Sequence, residues 1–432
     1  MSDAVVTIIS FVAVLLVVVL VHEFGHLFTA RWFGVKVLEF GVGYPPRVLK
    51  MYTGKSIIAL SPSTVVQTHD PLQVGQVIQI KSSWSDEQLT ADFISDHLNP
   101  ITSKDTEQGL VHQGKIREIR TNEIIVADMI YSLNLFPLGG FVRLSGETDS
   151  TIPFSLASKP AWQRAIILVS GAFMNLIYPV IVFTLISIIP HNVPVENTGE
   201  IQIIEVIPLS PAEQAGIIPK DVLLKVDQTP VSSPSDLRSI LNLSQGSSSS
   251  WTIQRSGKQM TATVTPSYED SIKQWVSGIR IITINQEFVK ASEPPWTALA
   301  GGVTRTIALL DALQTEFRNI VGKDVQNQIT GPVGIAQITG EVAKQAGFQG
   351  LVILSIIISI NLAILNILPI PMLDGGRLLF VLIEILRGGK QLPRHKENLF
   401  HAMGFVFLIS LIIIVTMKDI QRIITGEPFL GG

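Results

Sequence analysis

An apolar stretch from residue 4 to residue 28 constrains the fold more than any other feature of the sequence. It is long enough to cross a bilayer as a helix, because about 20 apolar residues span the hydrocarbon core. The only ionisable side chains within it belong to the sequence HEFGH at residues 22–26. Ionisable groups are costly inside a membrane and usually mark functional sites. We therefore expect a membrane helix with a chemical function near its C-terminal end.

Three further runs meet the same length criterion, and 47% of the 432 residues are hydrophobic. The predicted spans are residues 4–28, 165–189, 351–372 and 399–417. Lys and Arg residues follow span one, precede span two and lie between spans three and four, which places these flanks in the cytoplasm. The net charge of −3 and the lack of basic clusters give no indication of nucleic-acid binding. The absence of cysteine excludes disulfides and thiolate metal sites.

The segments between the spans predict β-rich regions and amphipathic helices. Apolar stretches at 35–60 and 124–145, broken by Gly and Pro, are typical of strands, and the polar segment 61–123 predicts a cytoplasmic β-rich insertion. Residues 195–283 alternate strand patterns with two short helices, which indicates a compact α+β module. The predicted domains are 1–60 (first span and start of a β-hairpin), 61–123 (insertion), 124–190 (end of the hairpin and second span), 195–283 (outside module), 294–346 (amphipathic helices) and 347–432 (third and fourth spans).

The HEFGH sequence has the spacing of a metal site. Residues four apart share a helix face, so His22 and His26 can direct ring nitrogens at one ion. Glu23 lies about 100° around the helix, where it can reach a water beside that ion. This is the arrangement of H-E-x-x-H metalloproteases, which use two zinc ligands and a general base. The alternative is that the three side chains satisfy one another at the interface without a metal.

A catalytic zinc usually has three protein ligands, and the third must come from elsewhere in the chain. No His, Asp or Glu occurs in the twelve residues after His26. Asp374 lies at the predicted cytoplasmic end of span three, after Pro369 and Pro371, which should interrupt the helix. Because the ends of spans one and three lie at the same depth, we predict Asp374 as the third ligand. The alternative is an interfacial acid that pairs with Arg377.

Together these motifs resemble the intramembrane site-2 protease family of zinc metallopeptidases, and most closely the bacterial PDZ-containing branch of the regulator-of-sigma-E protease type. The resemblance is carried by HEFGH (22–26), GVG (41–43), FPLGGFVRL (136–144), GAFMNLIYP (171–179), GPVGI (331–335), NLAILNILPIPMLDGGRLL (361–379) and the PDZ-like PAEQAGIIPKDVLLKVDQTPV. It implies a polytopic α-helical membrane protein with four transmembrane helices, a membrane-associated β-hairpin or sheet, and one extracytoplasmic α+β PDZ-like domain. The insertion at 61–123 departs from the short hairpin usual in this family.

The resemblance also implies roles for individual residues. Zn²⁺ would be held by His22, His26 and Asp374, with Glu23 as the general base. An edge strand at residues 37–50 would pair with an unwound substrate. The residues implied in substrate binding are Asn361, Pro369, Pro371, Gly41 and Gly43.

The implied function is cleavage of single-span membrane proteins within the bilayer, for example a pre-trimmed anti-sigma factor or a remnant signal peptide. The implied partners are that substrate, a site-1-type protease that acts first, and the lipid bilayer. The implied location is the bacterial inner membrane, with the active site near the cytoplasmic side. The PDZ-like domain would either exclude bulky ectodomains or grip a new C-terminus near residues 277–281.

Two other functions compete with proteolysis. The first is a non-enzymatic, membrane-anchored PDZ scaffold with a structural metal site, which would not need Glu23. The second is an ion transporter that uses the buried acids, which the lack of paired inverted repeats disfavours.

Overall fold

The computed structural model describes the chain except for residues 1–2, 86–87, 97–109, 148, 150, 196–197, 270–273, 322–329, 391 and 426–432. Part of the predicted insertion, residues 97–109, therefore lies outside the described residues. The chain divides into two compact units, Met1–Val182 with Asp324–Gly432, and Phe183–Lys323.

The described residues form nine helices and seventeen strands. The helices are α1 (Asp3–Trp32), α2 (Ala161–Ile188), α3 (Pro211–Gln214), α4 (Pro234–Ser244), α5 (Pro295–Val321), α6 (Pro332–Gln345), α7 (Gly347–Ile367), α8 (Asp374–Leu386) and α9 (Arg394–Thr425). The strands are β1 (Val37–Thr53), β2 (Ser56–Gln67), β3 (Val77–Ser85), β4 (Gln88–Ser95), β5 (Leu110–Ile119), β6 (Glu123–Ala127), β7 (Met129–Leu144), β8 (His191–Pro194), β9 (Glu200–Val206), β10 (Val222–Val226), β11 (Thr229–Pro230), β12 (Ser249–Arg255), β13 (Lys258–Val264), β14 (Ser267–Glu269), β15 (Gln274–Val276), β16 (Ile279–Ile284) and β17 (Phe288–Ala291).

Four of the described helices are long and apolar enough to cross a membrane: α1, α2, α7 and most of α9. They correspond to the four predicted spans, although α1, α2 and α9 extend beyond the predicted bounds at one end or both and the third helix ends early. Helix α7 ends at Ile367, before the predicted end at residue 372. Leu368 adopts an extended backbone with φ −63° and ψ 145°, as expected for a residue that precedes a proline.

Strands β1 and β7 form a small antiparallel sheet in which each strand folds back and pairs twice with the other. The pairing places four segments side by side, in the order 140–144, 37–42, 129–134 and 47–53. The reversals occur near Gly43 and Gly139, whose φ angles of 78° and 104° are accessible mainly to glycine. This sheet packs its apolar side against the C-terminal half of α1 and against Ile167 of α2.

Along the sequence, β2 to β6 come between β1 and β7. These five strands form a closed barrel in the order β2-β4-β3-β5-β6. Its strands occupy Ser56 to Ala127, a range slightly wider than the predicted insertion. The interior is filled by β-branched and other aliphatic side chains, among them Ile58, Ile80 and Ile124, each 0% exposed. Because the barrel closes, it has no free sheet edge among its described strands.

The second unit contains the predicted α+β module. Five strands form a sheet in the order β13-β12-β10-β9-β16, with β11 paired to β10. Two short helices, α3 and α4, accompany the sheet, and each begins at a serine that caps it, Ser210 and Ser233. Asp236 completes a capping box with Ser233, which explains why helix formation starts there. Trp251 is fully buried in the core of this module. The module coincides with the segment for which the resemblance predicts a PDZ-like domain, and that name is kept for it below.

Candidate metal centre and active site

One buried face of α1 presents two histidines to the interior of the unit formed by Met1–Val182 and Asp324–Gly432. Ser10, Val14, Val18, His22 and His26 are all buried and recur every four residues. Positions i and i+4 share a face, so the face that packs inside the protein also presents both imidazoles. His22 and His26 are only 6% and 8% exposed. The spacing seen in the sequence therefore produces two nearly solvent-free ring nitrogens on one side of the helix.

Asp374, the first residue of α8, meets these rings from a distant part of the chain. Its Oδ2 atom lies 2.9 Å from His22 Nε2 and 3.1 Å from His26 Nε2. The two Nε2 atoms are 3.2 Å apart. Three atoms that converge in this way could hold a metal ion. Two imidazoles and one carboxylate are a ligand set of catalytic zinc sites, which leave a fourth position open.

A glycine of α2 keeps one side of this cluster free of side chains. A Cβ atom on Gly171 would lie 2.5 Å from His26 Nε2 and 2.6 Å from His22 Nε2, too close for any other residue unless the rings moved. Gly25 of α1 allows a similar approach, since its Cβ would lie 2.3 Å from the Ser170 carbonyl oxygen. Helices α1 and α2 can therefore lie close together at the cluster. This clearance and the donor atoms fit a zinc ion.

Neighbouring polar groups orient the rings. His26 Nδ1 lies 2.8 Å from the Ile167 carbonyl oxygen, which accepts a hydrogen bond and leaves Nε2 unprotonated toward the cluster. Asn366 of α7 is buried, and its Nδ2 atom lies 3.5 Å from His22 Nε2. Sequence analysis does not identify Asn366 or Gly171 as site residues. The only signal is a polar or small residue inside an apolar run, and many such residues merely pack between helices.

The charge of Asp374 is not balanced by a basic side chain. In the described part of the chain, its ion-pair partners are the two histidines alone. Arg377 instead pairs with Glu147, with 2.8 Å between Nη2 and Oε2. The alternative in which Asp374 pairs with Arg377 is therefore wrong. A carboxylate that is only 21% exposed and has no fixed cation favours a bound metal cation. Its place in the first turn of α8 is also favourable for a negative charge.

Glu23 lies beside the cluster and lines the same cavity. This cavity of about 400 Å³ contains His22, Glu23, His26 and Asp374 in its wall. Glu23 is one residue from His22 on α1, and its side chain is half-buried. The backbone N–H of Val142 interacts with its carboxylate. The cavity therefore brings together the predicted base and the three predicted ligands.

The sheet presents an edge to this cavity, but not the predicted one. Gly140, Phe141, Val142 and Leu144 line the cavity, and they belong to the outermost segment of the sheet. Residues 37–42 pair with neighbours on both sides, so they are an interior strand. The prediction that residues 37–50 form the edge strand at the site is therefore wrong for this part. Local strand patterns do not reveal that β1 and β7 each fold back and pair twice.

The five residues implied in substrate binding do not line this cavity. Gly41 gives space to the Phe141 ring, which would lie 2.4 Å from a Cβ, and Gly43 has φ 78° at the strand reversal. Asn361 is exposed on α7, about 140° around the helix from Asn366. Pro369 is exposed, and Pro371 packs against Gly404 of α9. Their roles in substrate binding remain predictions.

A buried ion pair holds the shape of the sheet near the cavity. Glu39 is 1% exposed and accepts two hydrogen bonds from Arg47, at 2.7 and 2.6 Å, and one from Ser132 at 2.7 Å. Burial alone would raise the pKa of Glu39, but these hydrogen bonds and the charge of Arg47 outweigh it and lower the pKa. Glu39 therefore stays ionised and ties the interior segment 37–42 to the opposite edge of the sheet.

Comparison with known proteins shows which family uses this arrangement. The sequence model of peptidase family M50 matches residues 10–85 and 115–411, a range that includes the histidines, Glu23 and Asp374. The chain belongs to peptidase family M50. It is therefore a zinc metalloprotease, and its four long apolar helices make it a multi-pass membrane protein. The predicted family, enzyme class and zinc cofactor are confirmed.

Several named proteases resemble the chain over nearly its whole length. Zinc metalloprotease RasP of Oceanobacillus iheyensis is 31% identical over 96% of this chain and 99% of that protein. The regulator of sigma-W protease RasP of Bacillus subtilis is 27% identical over 96% and 99%. Probable protease eep of Enterococcus faecalis is 28% identical over 96% and 99%.

Proposed function

We propose that this family M50 protein cleaves transmembrane segments of single-span proteins within the bilayer. The observation that carries the proposal is the place of the donor atoms. His22, Glu23 and His26 belong to an apolar helix long enough to cross a membrane, and Asp374 directly follows another such helix and its proline-containing loop. A site at this depth suits a substrate whose scissile bond is itself embedded in lipid.

The residues of the cavity divide the chemistry among them. His22, His26 and Asp374 would hold the zinc, and Gly171 leaves the room for it. When bound, zinc supplies Lewis-acid chemistry that activates water and polarises a carbonyl. The Glu23 carboxylate accepts a proton from the attacking water and transfers it to the nitrogen of the leaving amine. General acid–base catalysis of this kind contributes typically about 10²–10⁴-fold.

The edge segment 140–144 is suited to hold the substrate in an extended form. A helical substrate hides its carbonyls in hydrogen bonds, so the scissile stretch must unwind. Freed backbone groups in lipid cost several kcal/mol each unless they are paired again. Pairing with the outer side of segment 140–144 would satisfy them by β-strand addition and place the chain beside Glu23.

The charge pattern and the relatives support a proposed orientation and proposed partners. Basic flanks support a cavity near the cytoplasmic side and a PDZ-like domain outside, in a bacterial inner membrane. One relative is named a regulator of sigma-W protease, which supports an anti-sigma factor as the class of substrate. A site-1-type protease would trim the substrate first, and the PDZ-like domain would keep untrimmed ectodomains from the cavity. A remnant signal peptide has the same short, single-span form.

The decisive experiment compares wild type with Glu23→Gln, using a truncated single-span substrate in detergent. We expect zinc in both proteins and cleavage by wild type alone, because Glu23 is not a ligand. Glu205→Gln, an exposed change in the PDZ-like domain, is the matched control and should cleave normally. Equal cleavage by Glu23→Gln would remove Glu23 from the chemistry.

The strand-addition step has its own test in the substrate. Replacing the helix-weakening residues of the substrate span by leucine should slow cleavage, because leucine stabilises the helix that must unwind. The initial rate measures the effect, and a soluble extended peptide with the same scissile sequence serves as control. Undiminished cleavage of the leucine variant would contradict the need for unwinding.

A further inference from the structure

The loop that leads into Asp374 has an unusual backbone. Met372, two residues before Asp374, has φ 72°, in the left-handed region that L residues with side chains rarely adopt. Its side chain is 49% exposed and lines the active-site cavity. Such a conformation persists only when the surroundings enforce it. The question is which contact enforces it.

Within the loop, the chain is folded tightly on itself. The Ile370 and Leu373 N–H groups donate to Leu368 and Ile370 carbonyl oxygens, at 2.7 and 3.3 Å. Gly375 lies so close to Leu368 that a Cβ would be 2.0 Å from its carbonyl oxygen. None of these contacts uses the Met372 N–H.

The Met372 N–H donates instead to His401 of α9, with 3.1 Å between the nitrogen and Nδ1. The His401 ring is held by aromatic neighbours, with centroid distances of 5.8 Å to Phe380 and 5.6 Å to Phe400. Phe380 belongs to α8, the helix that Asp374 begins. Phe380 of α8 therefore helps to hold the His401 ring, and His401 accepts a hydrogen bond just before the start of α8.

A second contact presses α9 onto the same loop. Gly404, three residues after His401, faces Pro371, and a Cβ at Gly404 would lie 1.9 Å from the Pro371 Cβ. Helix α9 thus fixes the loop at two neighbouring residues, Pro371 by packing and Met372 by a hydrogen bond. Neither Gly404 nor His401 lines the cavity with the donor atoms.

We propose that His401 is a positioning residue for the zinc site. By accepting the Met372 N–H, it holds the left-handed turn that sets the Asp374 carboxylate against the two histidines and directs the Met372 side chain into the cavity. The proposal concerns the zinc site of the protease, and it holds whether or not cleavage occurs within the bilayer. His401 acts through the backbone and touches neither the metal nor the substrate.

The geometry distinguishes two amide substitutions at this position. The side-chain oxygen of Asn can occupy the place of Nδ1, whereas the amide of Gln lies where Nε2 lies. His401→Asn should therefore keep the acceptor, and His401→Gln should lose it. Met372→Gly provides a second handle, because glycine adopts a positive φ without a side-chain clash.

The test uses the full-length protein in detergent and two measurements that need no proteolysis. The first is amide hydrogen exchange of the peptide that contains Met372 in zinc-free protein. The second is the rate of zinc loss to a chelator. Supporting partners of metal ligands affect metal affinity by about 10–100-fold, so we expect His401→Gln to lose zinc about tenfold faster and to exchange faster at Met372. His401→Asn should stay within about twofold of wild type by the same reasoning.

The Met372→Gly background separates positioning from general packing. In the Met372→Gly protein, residue 372 adopts a positive φ without a side-chain clash, so the loop depends less on the hydrogen bond to His401. His401→Gln should therefore accelerate zinc loss far less in this background than in wild type. An equal acceleration in both backgrounds would overturn the proposal, because it would assign the effect to packing of α9. Wild-type exchange and zinc retention in His401→Gln, or an equal loss in His401→Asn, would also overturn it.

Discussion

Among the described residues of the unit Met1–Val182 with Asp324–Gly432, two clusters combine buried histidine with aspartate, and one of them could hold a metal ion. In the first, His22, His26 and Asp374 direct three donor atoms at one point beside a cavity. In the second, His112 of β5 lies 3.3 Å from the Asp128 carboxylate, measured from Nε2 to Oδ2. Both clusters use the same residue types, so composition alone does not separate them.

The difference is the source of positive charge. Asp128 forms an ion pair with Lys36, a residue that is itself largely buried. Asp374 has no such lysine or arginine among the described residues. A built-in cation makes the second cluster complete without a ligand, whereas the first leaves a carboxylate to be balanced from outside. Asp128 lies where the chain leaves the barrel, and Lys36, which precedes β1, donates a hydrogen bond to Ser56 at the start of β2. The second cluster therefore joins the barrel to the sheet.

The largest effect is expected from breaking the second cluster. Asp128→Asn removes the countercharge of Lys36 and leaves a buried ammonium group unpaired. Loss of one partner of a buried ion pair costs about 3–5 kcal/mol. We expect that loss in the free energy of barrel opening, measured by hydrogen exchange of β5 and β6, with an unchanged zinc content of the folded protein.

A double substitution tests whether charge is the reason. Lys36→Met with Asp128→Leu replaces the pair by apolar side chains of similar size, and such replacements are often neutral. The double variant should therefore be much more stable than Asp128→Asn. If Asp128→Asn instead lowered zinc content while the barrel stayed intact, the two clusters would not differ as described.

The next effect concerns the first cluster. Gly171→Ala places a Cβ within 2.6 Å of both ring nitrogens, so the rings must move. A displacement of about 1 Å at a catalytic site costs roughly 10²-fold in rate. We expect that loss in kcat/KM together with weaker zinc retention, and unchanged exchange of the barrel strands. Gly301→Ala of α5, where the nearest atom would be 3.6 Å away, is the matched control. Full activity of Gly171→Ala would contradict the conclusion that a Cβ at residue 171 displaces the two histidine rings.

Sequence predicts the local parts of this site and misses the parts that depend on tertiary contacts. The four-residue spacing of His22 and His26, and the break before Asp374, follow from helix geometry and from proline chemistry. Helix geometry does not predict that Asn366, rather than Asn361, lies near His22, because this depends on which side of α7 faces α1. The edge at 140–144 was equally hidden, since it exists only because both strands fold back. Gly171 gives no local signal, because its function is the absence of a Cβ beside rings from another helix.

The smallest expected effect is the pH dependence of barrel stability that arises from His112 of the second cluster. Burial, followed by the charge of Lys36, lowers the pKa of His112 from 6.5 to about 3, although Asp128 opposes the shift. The folded barrel therefore keeps this ring neutral while the unfolded chain binds a proton below pH 6.5. The stabilisation is complete above pH 6.5 and is lost as the pH falls toward 3. Between pH 7 and pH 5 the loss is about 2 kcal/mol.

Substitution of the ring tests this assignment. His112→Leu removes the titrating group, so the free energy of barrel opening should change less between pH 7 and pH 5 than in wild type. The measurement is the protection of β5 amides, corrected for the intrinsic exchange rate at each pH. His69→Leu, an exposed change in the loop after β2, should retain the wild-type slope. An unaltered slope in His112→Leu would assign the acid sensitivity of the barrel to other groups than the second cluster.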